Sequence, residues 1–153
     1  MKKTKTNTKK IVLASSCILA TALLVGCGAN KGLGQYNIND AMKTMPKDVK
    51  ARIGDFKFYF AESGPDKKEI IASGIKTSLR TNALGKSATK ACNWVFYSAL
   101  INLKTQAQRM NANAVENIDS NWKNKRTSST TKYVCASGSL LAGVALVGNA
   151  IQE

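Results

Sequence analysis

Four cysteines, Cys17, Cys27, Cys92 and Cys135, are the most reactive side chains of this chain. A thiol serves as nucleophile, metal ligand, disulfide partner or acylation site, and its surroundings decide which. Histidine, the usual partner for the first two roles, is absent from all 153 residues. No Ser-His or Cys-His pair is therefore possible, nor any imidazole base near neutral pH. Cys92 and Cys135 are too few for a structural zinc site without histidine, so neither metal nor cofactor is expected. Leu84-Gly85-Lys86-Ser87 matches the end of a phosphate-binding loop, but Arg80 stands where the full pattern needs glycine. No apolar strand feeds that loop, and no nucleotide is expected. Lys86-Ser87 has no spacing that marks a Ser-Lys dyad. Glu116 and Asp119 would favour an enzyme only if a deep pocket held them.

Cys27 has the most informative surroundings. Lys2, Lys3, Lys5, Lys9 and Lys10 precede an uncharged run from Ile11 to Val25, and Leu24-Val25-Gly26 leads into Cys27. A charged segment, a short apolar segment and small residues before a cut site make a secretory signal. Leu-Val-Gly-Cys resembles the lipobox of bacterial lipoproteins, which implies lipidation of the Cys27 thiol and a mature N-terminus there. The competing reading is a retained transmembrane anchor. A helix over the 15 residues Ile11–Val25 spans roughly 22 Å, short of a ~30 Å hydrocarbon core. Cys17 lies in the same run behind Ser15-Ser16, without the Leu-x-Gly arrangement. Gly28 follows Cys27 in place of a retaining Asp, so in a two-membrane cell the expected location is the outer membrane, facing the periplasm.

Removing residues 1–26 leaves 127, enough for one domain. Five lysines and no acids leave with them, so the formal charge falls from +14 to +9. A basic chain outside the inner membrane meets lipid headgroups, anionic lipopolysaccharide or acidic partners, and no nucleic acid is expected. The alternative is a solvated basic surface that keeps the protein soluble.

Local pattern places the remaining elements. Residues 27–52 are expected to hold the lipidated cysteine, a tether over Gly28–Tyr36 and a short helix within Ile38–Ile53, where Met42, Met45 and Val49 recur at helical spacing. Residues 53–153 are expected to form a single α+β domain, a small mixed or antiparallel sheet with one long helix on one face. Phe56, Phe58 and Phe60 alternate with Lys57 and Tyr59 as in a half-buried strand. Gly64-Pro65-Asp66 signals a turn, Glu69–Ile75 a second strand and Lys76–Lys86 a loop. Ser87 is placed to cap a helix whose apolar stripe runs from Cys92 through Phe96, Leu100 and Leu103 to Met110. Asn111 then suits a left-handed turn. Val115–Trp122 and Lys132–Ser137 read as strands joined by a long basic hairpin loop. Leu140–Gly148, apolar on both faces, reads as a covered strand.

Two constellations follow from these placements. Cys92 near the helix start and Cys135 on the penultimate strand can meet across the helix–sheet interface, and an exported chain favours a structural disulfide. They lack the Cys-x-x-Cys spacing of a redox pair. Lys123, Lys125 and Arg126 on the hairpin form a candidate site for an anionic ligand or headgroup.

Thr81-Asn82-Ala83 with Gly85-Lys86-Ser87, Ala91-Cys92-Asn93-Trp94, Ala112-Asn113-Ala114-Val115 and Tyr133-Val134-Cys135 resemble a group of short exported bacterial proteins. The likeness covers roughly residues 54–151. That group often carries the name of an excinuclease ABC component, which fits poorly with a short chain holding no complete ATPase motif and no zinc module. The Ala-Asn-Ala-Val strand after a long helix is also similar, over helix and strand only, to the stress-sensor lipoprotein of the Rcs system and to YbjQ-like domains. No catalytic residue follows from either resemblance. The expected protein is a lipid-anchored, non-enzymatic envelope protein acting by contact with other envelope components. The alternatives are a module for an anionic ligand and an enzyme without a histidine mechanism.

Cys27→Ala is expected to leave a longer, unprocessed chain, measured by intact mass and membrane fractionation. A Cys27→Ala protein at the mature mass that still sediments with membranes would contradict lipidation.

Overall fold

The computed structural model describes residues 32–153; Cys17, Cys27 and the leader lie outside them. The chain runs β1 (Gly32–Asn37), α1 (Ile38–Lys43), α2 (Lys47–Ile53), β2 (Lys57–Phe60), β3 (Glu69–Asn82), α3 (Ala88–Gln108), β4 (Ala114–Trp122), β5 (Lys125–Thr127), β6 (Lys132–Ser137) and β7 (Leu141–Gln152). The seven strands form one mixed sheet, curled into a half-barrel, with helices packed against it, so the α+β class stands. Among the described residues, β2 is the one strand that runs parallel to its neighbour, β4.

α3 forms where local signals concentrate. The Ser87 side chain accepts from the Lys90 N–H at 3.2 Å, closing the N-terminus. Asn111 takes φ 61° three residues past the end of the helix, as its short polar side chain permits. The stripe Val95, Phe96, Leu100 and Leu103 is fully buried against Val144, Leu146 and Ala150 of β7 and Val115 and Ile118 of β4. Phe96 stacks on Tyr133 of β6 with centroids 4.0 Å apart and planes 10° from parallel. Burial, followed by the neighbouring Tyr97 and Tyr36, pushes the Tyr133 phenol well above its usual range. It stays protonated and donates to Asn93 Oδ1 at 2.7 Å.

Cys92 and Cys135 are bonded, with Cα atoms 5.9 Å apart, tying the first turns of α3 to β6 beside the Phe96–Tyr133 stack.

Four local expectations are corrected. The tether reading of Gly28–Tyr36 fails from Gly32 onward, because β1 pairs antiparallel with β6 from Gly32↔Ser137 to Asn37↔Lys132. The domain therefore includes residues 32–52, whose Ile38, Ala41, Met45 and Val49 are core residues. The single helix is two, interrupted ahead of Lys47, where Pro46 lacks the N–H a continuous helix needs. Tyr97 Oη donates to Ala41 O at 2.7 Å, and Lys104 Nζ donates to Arg52 O and Ile53 O, so α3 holds both short helices. β3 continues through the supposed loop at Lys76 to Asn82, paired with β7 up to Asn82↔Leu141. The Lys123–Thr131 loop is instead a two-residue connection into β5, with Lys123 at φ 52° and Asn124 at φ 62°.

The disulfide closes a separation of 43 residues, which in the chain-entropy model is worth roughly 4 kcal/mol. Cys92→Ser/Cys135→Ser is expected to lower the melting temperature by roughly 10–15 °C. An unchanged melting temperature, measured by circular dichroism, would refute a stabilising role.

Candidate functional site

A groove of about 1020 Å³ opens on the sheet face away from α3. Side chains alternate across a strand, and this alternation builds it. On β6, Tyr133 and Cys135 face the helix core, whereas Val134 and Ala136 line the groove. Their ladder partners on β1, Gln35 and Leu33, line it beside them. Small residues at the start of β7, Ala142 and Gly143, form part of the floor.

Trp122 lies over Gly143. A Cβ on Gly143 would stand 3.1 Å from Trp122 Cζ3, tighter than ordinary contact, so glycine lets the indole settle on the strand. Trp122 pairs with Lys125 in the β4–β5 ladder, and both residues project into the groove. Arg80 on β3, opposite Gly143, supplies a second cation, and Lys123 at the hairpin tip a third. A smaller depression of about 540 Å³ continues past Trp122, sharing Arg80 and Lys123 and adding Lys76. Among the described residues, no carboxylate lines either concavity. None of these four cations is ion-paired among the described residues.

The hairpin residues proposed for anion binding separate into two roles. Lys123 and Lys125 line the groove. Arg126 sits opposite Asn121 and donates through Nε (3.2 Å) and Nη2 (2.8 Å) to Asp119 Oδ2, fixing the hairpin to its parent strand. Ser120 adds a cross-strand tie by accepting from the Val134 N–H at 2.8 Å where β4 and β6 diverge from β7. Trp122, Arg80 and Leu33 escaped sequence reasoning. The available signal was the aromatic at the end of a strand leading into basic turn residues.

Neither Glu116 nor Asp119 lines the concavities described above. Glu116 is buried and paired with Lys68 at 2.6 Å, close beneath Gly64. Lys86 of the phosphate-loop-like segment is bonded to Asn82 O at 2.8 Å, and Ser87 is occupied as the α3 cap. Among the described residues no cluster of three metal-ligating side chains occurs, and no helix is long and apolar enough to cross a membrane. No protein-family model matches this chain, and neither a curated protein nor a solved structure shows significant similarity to it.

Arg126→Ala leaves the Asp119 carboxylate without its cation and is expected to cost about 1–3 kcal/mol of stability. Lys123→Ala and Lys125→Ala are each expected to stay within about 0.5 kcal/mol of the parent protein. Urea unfolding checks both, and equal effects at all three positions would refute the division of roles.

Proposed function

We propose that this protein is a lipid-anchored component of the cell envelope, held by Cys27, whose folded domain is a non-enzymatic binding module for an anionic amphiphile. The carrying observation is the groove: an apolar floor of Leu33, Trp122, Val134 and Gly143 beside Arg80, Lys123 and Lys125, with no carboxylate among the described residues that line it. Such a site takes an apolar chain against the indole and an acidic head among the cations. A non-enzymatic role is supported by the lack of any histidine in the chain and by the engagement of Glu116 and Asp119 with Lys68 and Arg126. The anchor reading rests on the Leu24-Val25-Gly26-Cys27 pattern behind its basic and apolar leader.

Dodecyl phosphate is a suitable probe, with Trp122 as reporter in a Trp94→Phe background. Saturable change in indole emission is expected, with dodecanol binding at least tenfold more weakly because it lacks charge-assisted contacts. Arg80→Ala is expected to weaken the phosphate probe about tenfold while leaving dodecanol unaffected. Emission that ignores dodecyl phosphate, or a response equal for both probes, would refute the reading.

A further inference from the structure

The nine acidic residues are unevenly distributed: none occurs between Glu69 and Glu116, and none between Asp119 and Glu153. Strand pairing turns this into geometry. Asn82 lies opposite Leu141 and Gly32 opposite Ser137, so β1 starts, β3 finishes and the β6–β7 turn sits at one end of the sheet. The Ala83 N–H donates to Leu140 O at 2.8 Å, joining the loop before α3 to that turn. The other end pairs Glu69 with Gln152 and carries Glu153 bonded to Lys57 and Tyr59.

The acid-free end is also the apolar one. Leu33 (62% exposed), Leu84 (64%), Leu140 (63%) and Leu141 (54%) belong to three separate segments that converge there. They make up four of the seven large hydrophobics exposed among the described residues. Exposed leucines gathered from three segments and bordered by cations mark an interaction surface, unlike single scattered ones. Arg80, Lys123 and Lys125 line the groove that Leu33 and Leu141 share.

We infer that this leucine-tipped end docks onto an anionic phospholipid bilayer, presenting the mouth of the groove to the headgroups. Two observations select a bilayer as the occupant. Cations without a neighbouring acid complement a negative lipid surface, to which each basic residue adds attraction while leucines enter the interface. The chain also joins the sheet at Gly32, on this end, only five residues after Cys27. Five residues span at most about 18 Å in any conformation. An anchor at Cys27 therefore holds this end near the lipid, and the orientation rests on that anchor reading.

The test uses the mature lipidated protein in vesicles of phosphatidylcholine with phosphatidylglycerol, spin-labelled at Ser139→Cys in the β6–β7 turn or at Ser73→Cys toward the far end. Collision with oxygen and with a water-soluble nickel complex reports immersion. The label at Ser139 is expected to be several-fold more protected from nickel than the label at Ser73, with the protection lost in pure phosphatidylcholine. Leu84→Ser/Leu140→Ser/Leu141→Ser, all at exposed positions, is expected to return the Ser139 label to water while the protein remains on the vesicles. Equal aqueous exposure at both sites in acidic vesicles, or equal immersion in neutral ones, overturns the proposal. Intact mass separates the two readings. Protein without acyl groups refutes the anchor alone if acidic vesicles still protect the Ser139 label in a salt-sensitive way, and overturns docking as well if they do not.

Discussion

β7 is the constraint on which the rest of the molecule depends. One edge pairs with β3 along nearly its whole length; the other pairs with β6 at its start and β4 toward its end. With α3 on one face, a strand so placed is apolar and often small along most of its length, from Leu141 to Gly148. Its two glycines stand at close approaches. A Cβ on Gly148 would lie 2.8 Å from Val115 Cγ1 and 2.9 Å from Glu116 O, so any side chain there would push β4 away. Gly143 makes room for Trp122 on the opposite face. Two strands leaving one edge of β7 in succession produce the curl, and the Ser120–Val134 hydrogen bond spans the divergence. The same strand thus closes the helix-side core and floors the groove.

What the sequence disclosed follows from how local each signal is. α3 carries its cap at Ser87, its stripe and its Asn111 exit within its own residues, and β7 declares itself by lacking any polar face. β1 has no such signal. Gly32-Leu33-Gly34-Gln35-Tyr36-Asn37 contains two glycines and becomes a strand because β6 offers a pairing edge. The second half of β3 hides its alternation, since two of its inward residues are Thr77 and Thr81, with Leu79 the one apolar marker between them. Pro46 split a helical period that Met42, Met45 and Val49 otherwise sustain.

Within the candidate site, residue type was more legible than direction. The basic hairpin was visible, but which cations face the groove depends on the ladder. With Lys123 and Asn124 as a two-residue connection, Trp122 meets Lys125 and Asn121 meets Arg126, which sends Arg126 toward Asp119. Asn124, tolerant of positive φ, was the clue to that tight turn. Arg80 could not be assigned because it comes from a distant strand that read as a loop.

The two faces of β6 carry different burdens. Toward α3 lie the Cys92–Cys135 bond and the Tyr133–Phe96 stack, so covalent and packing stabilisation are concentrated on the helix side. Toward the groove lie the small or aliphatic Val134 and Ala136, with Ser137 at the strand end. Cations collected without counter-charge repel one another and raise the free energy of the folded state. The carboxylates that could relieve them are engaged or distant: Asp119 is held by Arg126 and Glu116 by Lys68, while Glu153 lies at the other end of the sheet with Lys57. A fold secured from its helix face tolerates that imbalance on the other, and unneutralised charge beside an apolar floor is the kind of local inconsistency expected of a functional site. The reading of the groove as a site for an acidic amphiphile rests on this imbalance more than on its volume.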